Sequence, residues 1–161
     1  MDYLEFAIQM ELDGEKYYLE QAEQNKDTAL YKVFTLLAKD ERKHADIVRN
    51  YANATNYELS EENAFTEFEN VFSKQGDFKL ELKEVPDQLD AYRLALSKEQ
   101  ESIDLYKKMH EEVEDEKGKA LFAYLIKQEE YHYQIFDNVV QHLRKAEDWV
   151  EDAEFGVRDT Y

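Results

Sequence analysis

The stretch DERKH at residues 40–44 decides the fold, because its Glu-x-x-His motif recurs 88 residues later, from Glu129 to His132. On an α-helix, residues three apart lie on one face, so a Glu and a His at this spacing point toward a common object, such as a metal ion. Either motif alone is weak evidence, because 38 of the 161 residues are Asp or Glu. The two motifs predict one shared site only if the residues around them repeat as well.

The residues around the two motifs do repeat. When the chain is aligned with itself at an offset of 88 residues, no gap is needed, and the matching residues fall at helical spacing on the inner face. This indicates two helical hairpins that share one interior plan. The matched pairs are Ala7 and Ala95, Glu11 and Glu99, Tyr18 and Tyr106, Phe34 and Phe122, Leu37 and Leu125, Glu41 and Glu129, His44 and His132, and Ile47 and Ile135.

The composition predicts an all-α domain. Pro occurs once and Gly four times, which is too few for the many turns of a β fold, and strong helix formers are common throughout. Apolar residues recur at helical spacing in four long segments, near residues 2–24, 28–51, 87–114 and 117–143. Together with the repeat, this pattern predicts an antiparallel four-helix bundle made of two helical hairpins that a long crossover connector joins.

Residues 1–148 are expected to form the bundle, with the connector at residues 52–86 and a C-terminal tail at residues 149–161. Within the connector, Ser60 can cap a short amphipathic helix, and residues 78–82 read as an extended piece. The tail is expected to dock on the bundle or on a partner subunit. Four aromatic residues of the connector predict a packing strip or a dimer contact, namely Phe65, Phe68, Phe72 and Phe78.

Chain geometry brings the repeated polar residues together. Glu11 and Glu41 are equally far from a turn near residue 26, so in an antiparallel hairpin they lie at the same height and face each other. The second hairpin, with its turn near residue 114, repeats this relationship. Packing the two hairpins together therefore converges four carboxylates and two imidazoles on one interior layer, from Glu11, Glu41, His44, Glu99, Glu129 and His132.

Such a layer needs cations. Four carboxylates in a low-dielectric core repel one another, and each costs several kcal/mol to bury without a partner. Two divalent ions balance the four charges, and helical bundles with this ligand pattern hold two iron or two manganese ions. A mixed carboxylate and imidazole set suits iron or manganese and allows zinc, whereas calcium and magnesium rarely recruit two imidazoles. The sequence therefore predicts a centre of two metal ions.

Charge and composition argue against several classes of function. A formal net charge of −18 disfavours nucleic-acid binding, which requires basic patches, and the absence of Cys excludes disulfides and thiolate metal centres. No apolar run is long enough to span a membrane, and the acidic N-terminus differs from a basic signal peptide. We therefore expect a cytoplasmic protein that binds neither membranes nor nucleic acids.

Residues 7–18 and 34–44, with their counterparts at 95–106 and 122–132, resemble the rubrerythrin branch of the ferritin-like superfamily. The resemblance implies a non-haem di-iron centre that reduces peroxide or dioxygen while Fe(II) is oxidised. It also implies a homodimer, which in some members of the family forms by exchange of hairpins. The carboxylate ligands that it implies are Glu11, Glu41, Glu99 and Glu129, and the imidazole ligands are His44 and His132.

The chain departs from the family in two ways. Full-length rubrerythrins carry a Cys-rich rubredoxin domain that supplies electrons, whereas this chain has no Cys, so we expect a separate and unknown electron donor. Rubrerythrins also place a further Glu three residues after the third-helix ligand, where this chain has Ser102. Glu101 does not substitute for it, because an offset of two residues turns a side chain about 200° around the helix. This difference bears directly on peroxidase activity of the family's usual kind.

Two tyrosines are further candidates for the site. Tyr18 and Tyr106 each lie seven residues after a predicted ligand and on the same helical face. Each hydroxyl can hydrogen-bond a ligand carboxylate or intercept stray oxidising equivalents, and core packing with a bonded hydroxyl is the simplest role.

The sequence leaves open which other polar residues orient the ligands through hydrogen bonds. Asp40, Asp46 and Gln128 are alternatives for orienting a ligand imidazole, while His110 and His142 lack a registered Glu partner and read as ordinary helix residues. Three functions remain open as well. They are an oxidoreductase, an iron-handling ferroxidase, storage or delivery protein, and a structural bundle with a vestigial metal site.

Overall fold

The protein is all α-helical in the part of the chain that the structure, a computed structural model, describes. The described residues are 2–28, 30–74 and 89–155, and they contain five helices and no strand. The predicted fold class is confirmed. The helices are α1 (Tyr3–Gln24), α2 (Leu30–Ala52), α3 (Ala64–Lys74), α4 (Leu89–Glu112) and α5 (Glu116–Phe155).

Two antiparallel hairpins form the bundle, since α1 packs along α2 and α4 packs along α5. Asp2 begins α1, where its side chain accepts a hydrogen bond from the backbone of Glu5 at 2.7 Å. Asp115 begins α5 in the same way, by accepting from the backbone of Gly118 at 2.8 Å. Helix α1 ends at Gln24 and α2 begins at Leu30, while α4 ends at Glu112 and α5 begins at Glu116. The two hairpin turns therefore fall close to residues 26 and 114, where the sequence predicts them.

Gly118 allows the second turn to close against α2. A Cβ atom at this position would lie 2.5 Å from the Tyr51 hydroxyl oxygen and from a methyl group of Val113. The Tyr51 hydroxyl instead donates a hydrogen bond to Asp115 at 2.9 Å, which ties α2 to the start of α5. A side chain at Gly118 would separate these contacts.

Two apolar clusters fill the bundle above and below one polar layer. The first cluster surrounds Phe34 and Phe136, whose rings lie 6.1 Å apart, and the second surrounds Tyr106 and Phe122, whose rings stack at 6.2 Å. Each of the four bundle helices, α1, α2, α4 and α5, contributes to both clusters and carries its polar residues of the layer between them. Apolar burial at both ends of the bundle therefore fixes the height at which the polar layer lies.

The connector helix α3 packs against α2 and α5. Phe68 is buried and the ring of Phe65 stacks on Tyr131 at 5.3 Å, so these two residues form part of the predicted packing strip. Before α3, the backbone oxygen of Ser60 accepts a hydrogen bond from the hydroxyl of Tyr124 at 2.6 Å. The predicted extended piece at residues 78–82 and the predicted start of the third bundle helix near residue 86 lie outside the described residues.

Helix α5 continues beyond the predicted end of the fourth bundle helix. The sequence places that end near residue 143 and a tail from residue 149, whereas the backbone stays helical through Phe155. Glu and Ala residues between 146 and 154 support this extension, because they are strong helix formers. The rest of the predicted tail lies outside the described residues. No described helix is both long enough and apolar enough to cross a membrane.

Candidate metal centre

Six buried side chains from the four bundle helices meet in the polar layer. Helices α1 and α4 each supply one carboxylate, and α2 and α5 each supply a Glu and a His one turn apart. None of the six residues is more than 5% exposed. The structure therefore brings together every residue that the sequence predicts as a metal ligand: Glu11, Glu41, His44, Glu99, Glu129 and His132.

The six residues form two overlapping groups, each able to hold one ion. In each group, one ligand atom from every residue lies within 4.8 Å of the others. Glu41 and Glu129 belong to both groups, so an ion held by either group would lie beside both carboxylates. The first group adds Glu11 and His44, and the second adds Glu99 and His132.

Both imidazoles turn Nδ1 toward the carboxylates. His44 Nδ1 lies 3.2 Å from Glu129 Oε1, and His132 Nδ1 lies 3.1 Å from Glu41 Oε1. Each of these contacts crosses from one hairpin to the other, and an offset of 88 residues converts one contact into the other. The two rings lie nearly parallel, with their centroids 5.7 Å apart. Nδ1 is therefore the ring nitrogen that each His offers to a metal.

The two predicted tyrosines hold the single carboxylates of α1 and α4. Tyr106 donates a hydrogen bond to Glu11 Oε1 at 2.7 Å, and Tyr18 donates one to Glu99 Oε1. Each tyrosine thus contacts the carboxylate of the other hairpin. Burial, together with these carboxylates, raises the pKa of both phenols well above the usual value, which keeps each hydroxyl protonated as a donor.

Asp40 supports one of the two imidazoles. Its Oδ2 atom lies 2.9 Å from His132 Nε2, and the same oxygen accepts a hydrogen bond from the backbone N–H of Ala64 at 2.7 Å. An ionised carboxylate only accepts hydrogen bonds, so Nε2 of His132 carries a proton, and Nδ1 is the nitrogen that would give up its proton to bind a metal. Ala64 is the first residue of α3, and this contact therefore joins the connector helix to the centre.

The other candidate supports differ from Asp40. Asp46 lies at the surface, 3.3 Å from Arg49. Gln128 is buried, but neither its amide nitrogen nor its oxygen has a hydrogen-bond partner among the described residues. Neither His110 nor His142 belongs to either group of described metal-binding residues.

The charged groups of the centre shift one another's pKa values. Burial and the neighbouring Glu129 raise the pKa of Glu99 to about 8, and burial together with Glu11 and Glu129 raises the pKa of Glu41 well above its usual value. Burial also works against a charged Glu11, but the attraction of His44 prevails and lowers the pKa of Glu11 to about 2. Without metal, the layer therefore holds some of its carboxylates protonated.

The imidazoles respond in the opposite direction. Burial disfavours their charged form, but the nearby carboxylates prevail, with Glu11 raising the pKa of His44 to about 10 and Glu99 raising that of His132. The His44 imidazole is therefore cationic at neutral pH when no metal is bound, and the charged form of His132 is favoured as well. Protons then supply part of the positive charge that the carboxylates need.

The donor set fits divalent metal ions. Three buried carboxylate oxygens, one each from Glu11, Glu99 and Glu129, have no hydrogen-bond partner among the described residues. A buried carboxylate oxygen without a partner is costly, and a cation removes that cost. Oxygen atoms and Nδ1 atoms are the donors that suit iron or manganese and also accept zinc.

A cavity of about 260 Å³ opens between α1 and α4 and reaches the centre. Its lining includes Glu41 and Glu99 at the inner end and the half-exposed Phe6 near the surface. Gly14 also lines it, and a Cβ atom on Gly14 would lie 3.0 Å from Glu41 Oε2. The sequence pattern assigned no role in the site to Gly14, although its counterpart in the repeat is Ser102, and two small residues at one repeated position indicate a gap.

The fold and the centre together define the class of protein. One Glu from each of two helices and a Glu-x-x-His pair from each of two others is the arrangement of ferritin-like carboxylate metalloproteins. The rubrerythrin family matches residues 2–140, and the chain belongs to this family. Neither the curated proteins nor the solved structures gave a significant match to the chain.

Proposed function

We propose that the protein binds two iron ions and reduces peroxide or dioxygen while Fe(II) is oxidised to Fe(III). The observation that carries this proposal is the pair of overlapping ligand groups, which share Glu41 and Glu129. When bound, the two ions would supply the electrons for the reduction. Carboxylates that bridge two ions can follow their change of charge, which is why such centres suit two-electron chemistry.

The protein's own residues position this centre and control its protons. Asp40 fixes the Nε2 proton of His132, and the hydroxyls of Tyr18 and Tyr106 hold one oxygen of Glu99 and Glu11 in place. Apolar clusters above and below the layer close it off from the two ends of the bundle. The cavity between α1 and α4 gives a small oxidant a route to the centre.

Iron analysis of the purified protein tests the proposal. After anaerobic loading with Fe(II), we expect about two iron ions per chain, and an absorption band of an oxo-bridged centre after addition of peroxide. Glu41→Ala removes a residue common to both ligand groups, so it should lower the iron content strongly. Less than about one ion per chain in the wild type, or no loss in the variant, would support a structural bundle with a vestigial site instead.

An iron-handling ferroxidase, acting in storage or delivery, is the alternative. Ser102 favours it, because this residue stands where the family has a further Glu, and its hydroxyl bonds the backbone oxygen of Lys98 at 3.1 Å. Ferroxidase activity predicts Fe(II) oxidation with no multiple-turnover peroxide reduction for any electron donor tested. A storage role further predicts a large closed assembly, whereas our proposal predicts a homodimer, with or without exchanged hairpins, that receives electrons from a separate protein. Both measurements, turnover and solution mass, discriminate between the two functions.

A further inference from the structure

The cavity between α1 and α4 is larger than hydrogen peroxide or dioxygen requires. A water molecule takes up about 30 Å³ in the liquid, and an engineered apolar cavity of about 150 Å³ binds benzene. At about 260 Å³, this cavity has room for a substituted benzene ring or a branched alkyl chain. Its size therefore allows a guest larger than either of these oxidants.

Two small residues at equivalent positions of the repeat keep the cavity open. Gly14 follows Glu11 by three residues on α1, and Ser102 follows Glu99 by three residues on α4. Gly14 leaves space beside Glu41. The short side chain of Ser102 turns its hydroxyl toward the backbone of its own helix, and the same oxygen lies 3.4 Å from the sulfur of Met10 on α1. A longer side chain at position 102 would occupy the space that the cavity now offers.

The lining distinguishes between kinds of guest. Phe6, Met10 and Tyr17 offer apolar and aromatic surface along the wall. The ammonium group of Lys98 lies over the Tyr17 ring, 5.1 Å from its centroid, while Asp13 and Glu101 add negative charge. Since acidic groups outnumber the one Lys of the lining, the cavity favours a neutral guest over an anionic one.

We propose that this cavity binds a neutral organic hydroperoxide, with its apolar substituent along Phe6, Met10 and Tyr17 and its O–O group toward Glu41 and Glu99. The inference rests on the proposed function for the reaction, and on the cavity alone for binding. The conversion breaks the O–O bond of ROOH and consumes two protons and two electrons to give ROH and water. The electrons come from two Fe(II) ions, which become Fe(III).

The binding test uses zinc-loaded protein and 2-phenyl-2-propanol, the alcohol formed when cumene hydroperoxide is reduced. Saturation-transfer NMR measures its dissociation constant, and no redox step is involved. Ser102→Phe should fill the cavity and weaken binding at least about tenfold, which corresponds to about 1.4 kcal/mol. Ser97→Phe is the matched control, because it makes the same change at an exposed position of α4 and should leave the dissociation constant as in the wild type.

The reaction test uses Fe(II)-loaded protein in a single turnover. For each variant, the rate constant for cumene hydroperoxide is divided by that for hydrogen peroxide, so a general effect on the iron cancels. Ser102→Phe should lower this ratio, and Ser97→Phe should not. If Ser102→Phe does not fold or does not bind zinc, Ser102→Leu carries the same expectations.

The outcomes separate this inference from the proposed function. Equal binding of the alcohol by wild type and Ser102→Phe, or no binding by the wild type, overturns the inference even if iron is oxidised. Binding that Ser102→Phe abolishes, in a protein whose Fe(II) is oxidised neither by the two peroxides nor by dioxygen, supports the binding site and overturns the proposed function. Loss of binding together with a lowered rate ratio supports both.

Discussion

Asp40 and Gln128 occupy equivalent positions in the two hairpins, yet only Asp40 is hydrogen-bonded to an imidazole. Asp40 Oδ2 lies 2.9 Å from His132 Nε2, whereas the amide of Gln128 has no hydrogen-bond partner among the described residues. A carboxylate that accepts from a ligand imidazole raises the basicity of that ligand. The two groups that could each hold an ion are therefore chemically unequal, although their six residues are arranged symmetrically.

We expect Asp40→Asn to weaken metal binding at the position that includes His132. Loss of an outer carboxylate partner typically costs about 10- to 100-fold in metal affinity. Isothermal titration with zinc should then show one weakened site and one site close to the wild type. Asp46→Asn is the control, because Asp46 lies at the surface, where it pairs with Arg49. An equal loss of zinc affinity at both sites, or no loss at either site, would contradict the chemical difference between the two groups.

The hydroxyls of Tyr18 and Tyr106 are expected to stabilise the metal-free protein to a similar degree. Tyr18→Phe and Tyr106→Phe each remove the donor to a buried carboxylate of the other hairpin. Leaving such an acceptor unsatisfied costs about 1–3 kcal/mol in free energy of unfolding, which urea titration of metal-free protein measures. Tyr31→Phe, at an exposed tyrosine, should have little effect. Unchanged stability in both buried variants would show that these hydrogen bonds contribute nothing.

Metal affinity should rise with pH. Burial and Glu129 raise the pKa of Glu99 to about 8, and Glu11 overcomes burial to raise the pKa of His44 to about 10, so both groups hold protons at pH 7 without metal. Metal ligands must be deprotonated, so each displaced proton makes the apparent affinity about tenfold stronger per pH unit. Zinc titrations from pH 6 to 8, in buffers of different ionisation enthalpy, count these protons. An affinity that is flat over this range would contradict the expectation.

Substitutions at two glycines should distinguish effects on metal affinity from effects on the stability of the fold. In Gly14→Ala the new methyl group lies 3.0 Å from Glu41 Oε2, so Glu41 must shift and the zinc affinity should fall. The unfolding free energy of the metal-free protein should hold or rise, because Ala is favoured over Gly within a helix by up to about 1 kcal/mol.

Gly118→Ala should show the reverse pattern. Its methyl group would lie 2.5 Å from both the Tyr51 hydroxyl and Val113, far from the metal ligands, so the protein should lose stability and keep its zinc stoichiometry. Thermal unfolding and metal analysis of both variants provide the comparison. The same change in both properties for both variants would show that Gly14 has no particular relation to the centre.

The sequence predicts the bundle and the six clustered residues because both depend on periodicity. Inner-face positions repeat at an offset of 88 residues, and equal distances from a hairpin turn place Glu11 opposite Glu41. Periodicity does not identify which residues hydrogen-bond and orient the metal-binding side chains, because these contacts also depend on other parts of the chain. Asp40 is distinguished from Gln128 partly by Ala64, whose N–H group arrives from the connector and shares the same carboxylate oxygen.

Contacts between hairpins are also beyond what spacing reveals. Tyr18 lies seven residues after Glu11 on the same helix, but it bonds Glu99 of the other hairpin. The cavity between α1 and α4 depends on space that side chains leave free, at Gly14 and Ser102, and on the separation of two helices. Such space is decided by tertiary packing, which a pattern along one helix does not contain.

Each of the two groups that could hold an ion contains residues of both hairpins, since Glu41 and Glu129 belong to both groups. Bound ions would therefore cross-link the two hairpins of a chain that has no Cys to form disulfides. The hairpins could not separate without releasing both ions, so the free energy of metal binding would add directly to the resistance of the bundle to unfolding. Metal supply would then set the lifetime of the folded protein as well as its chemistry.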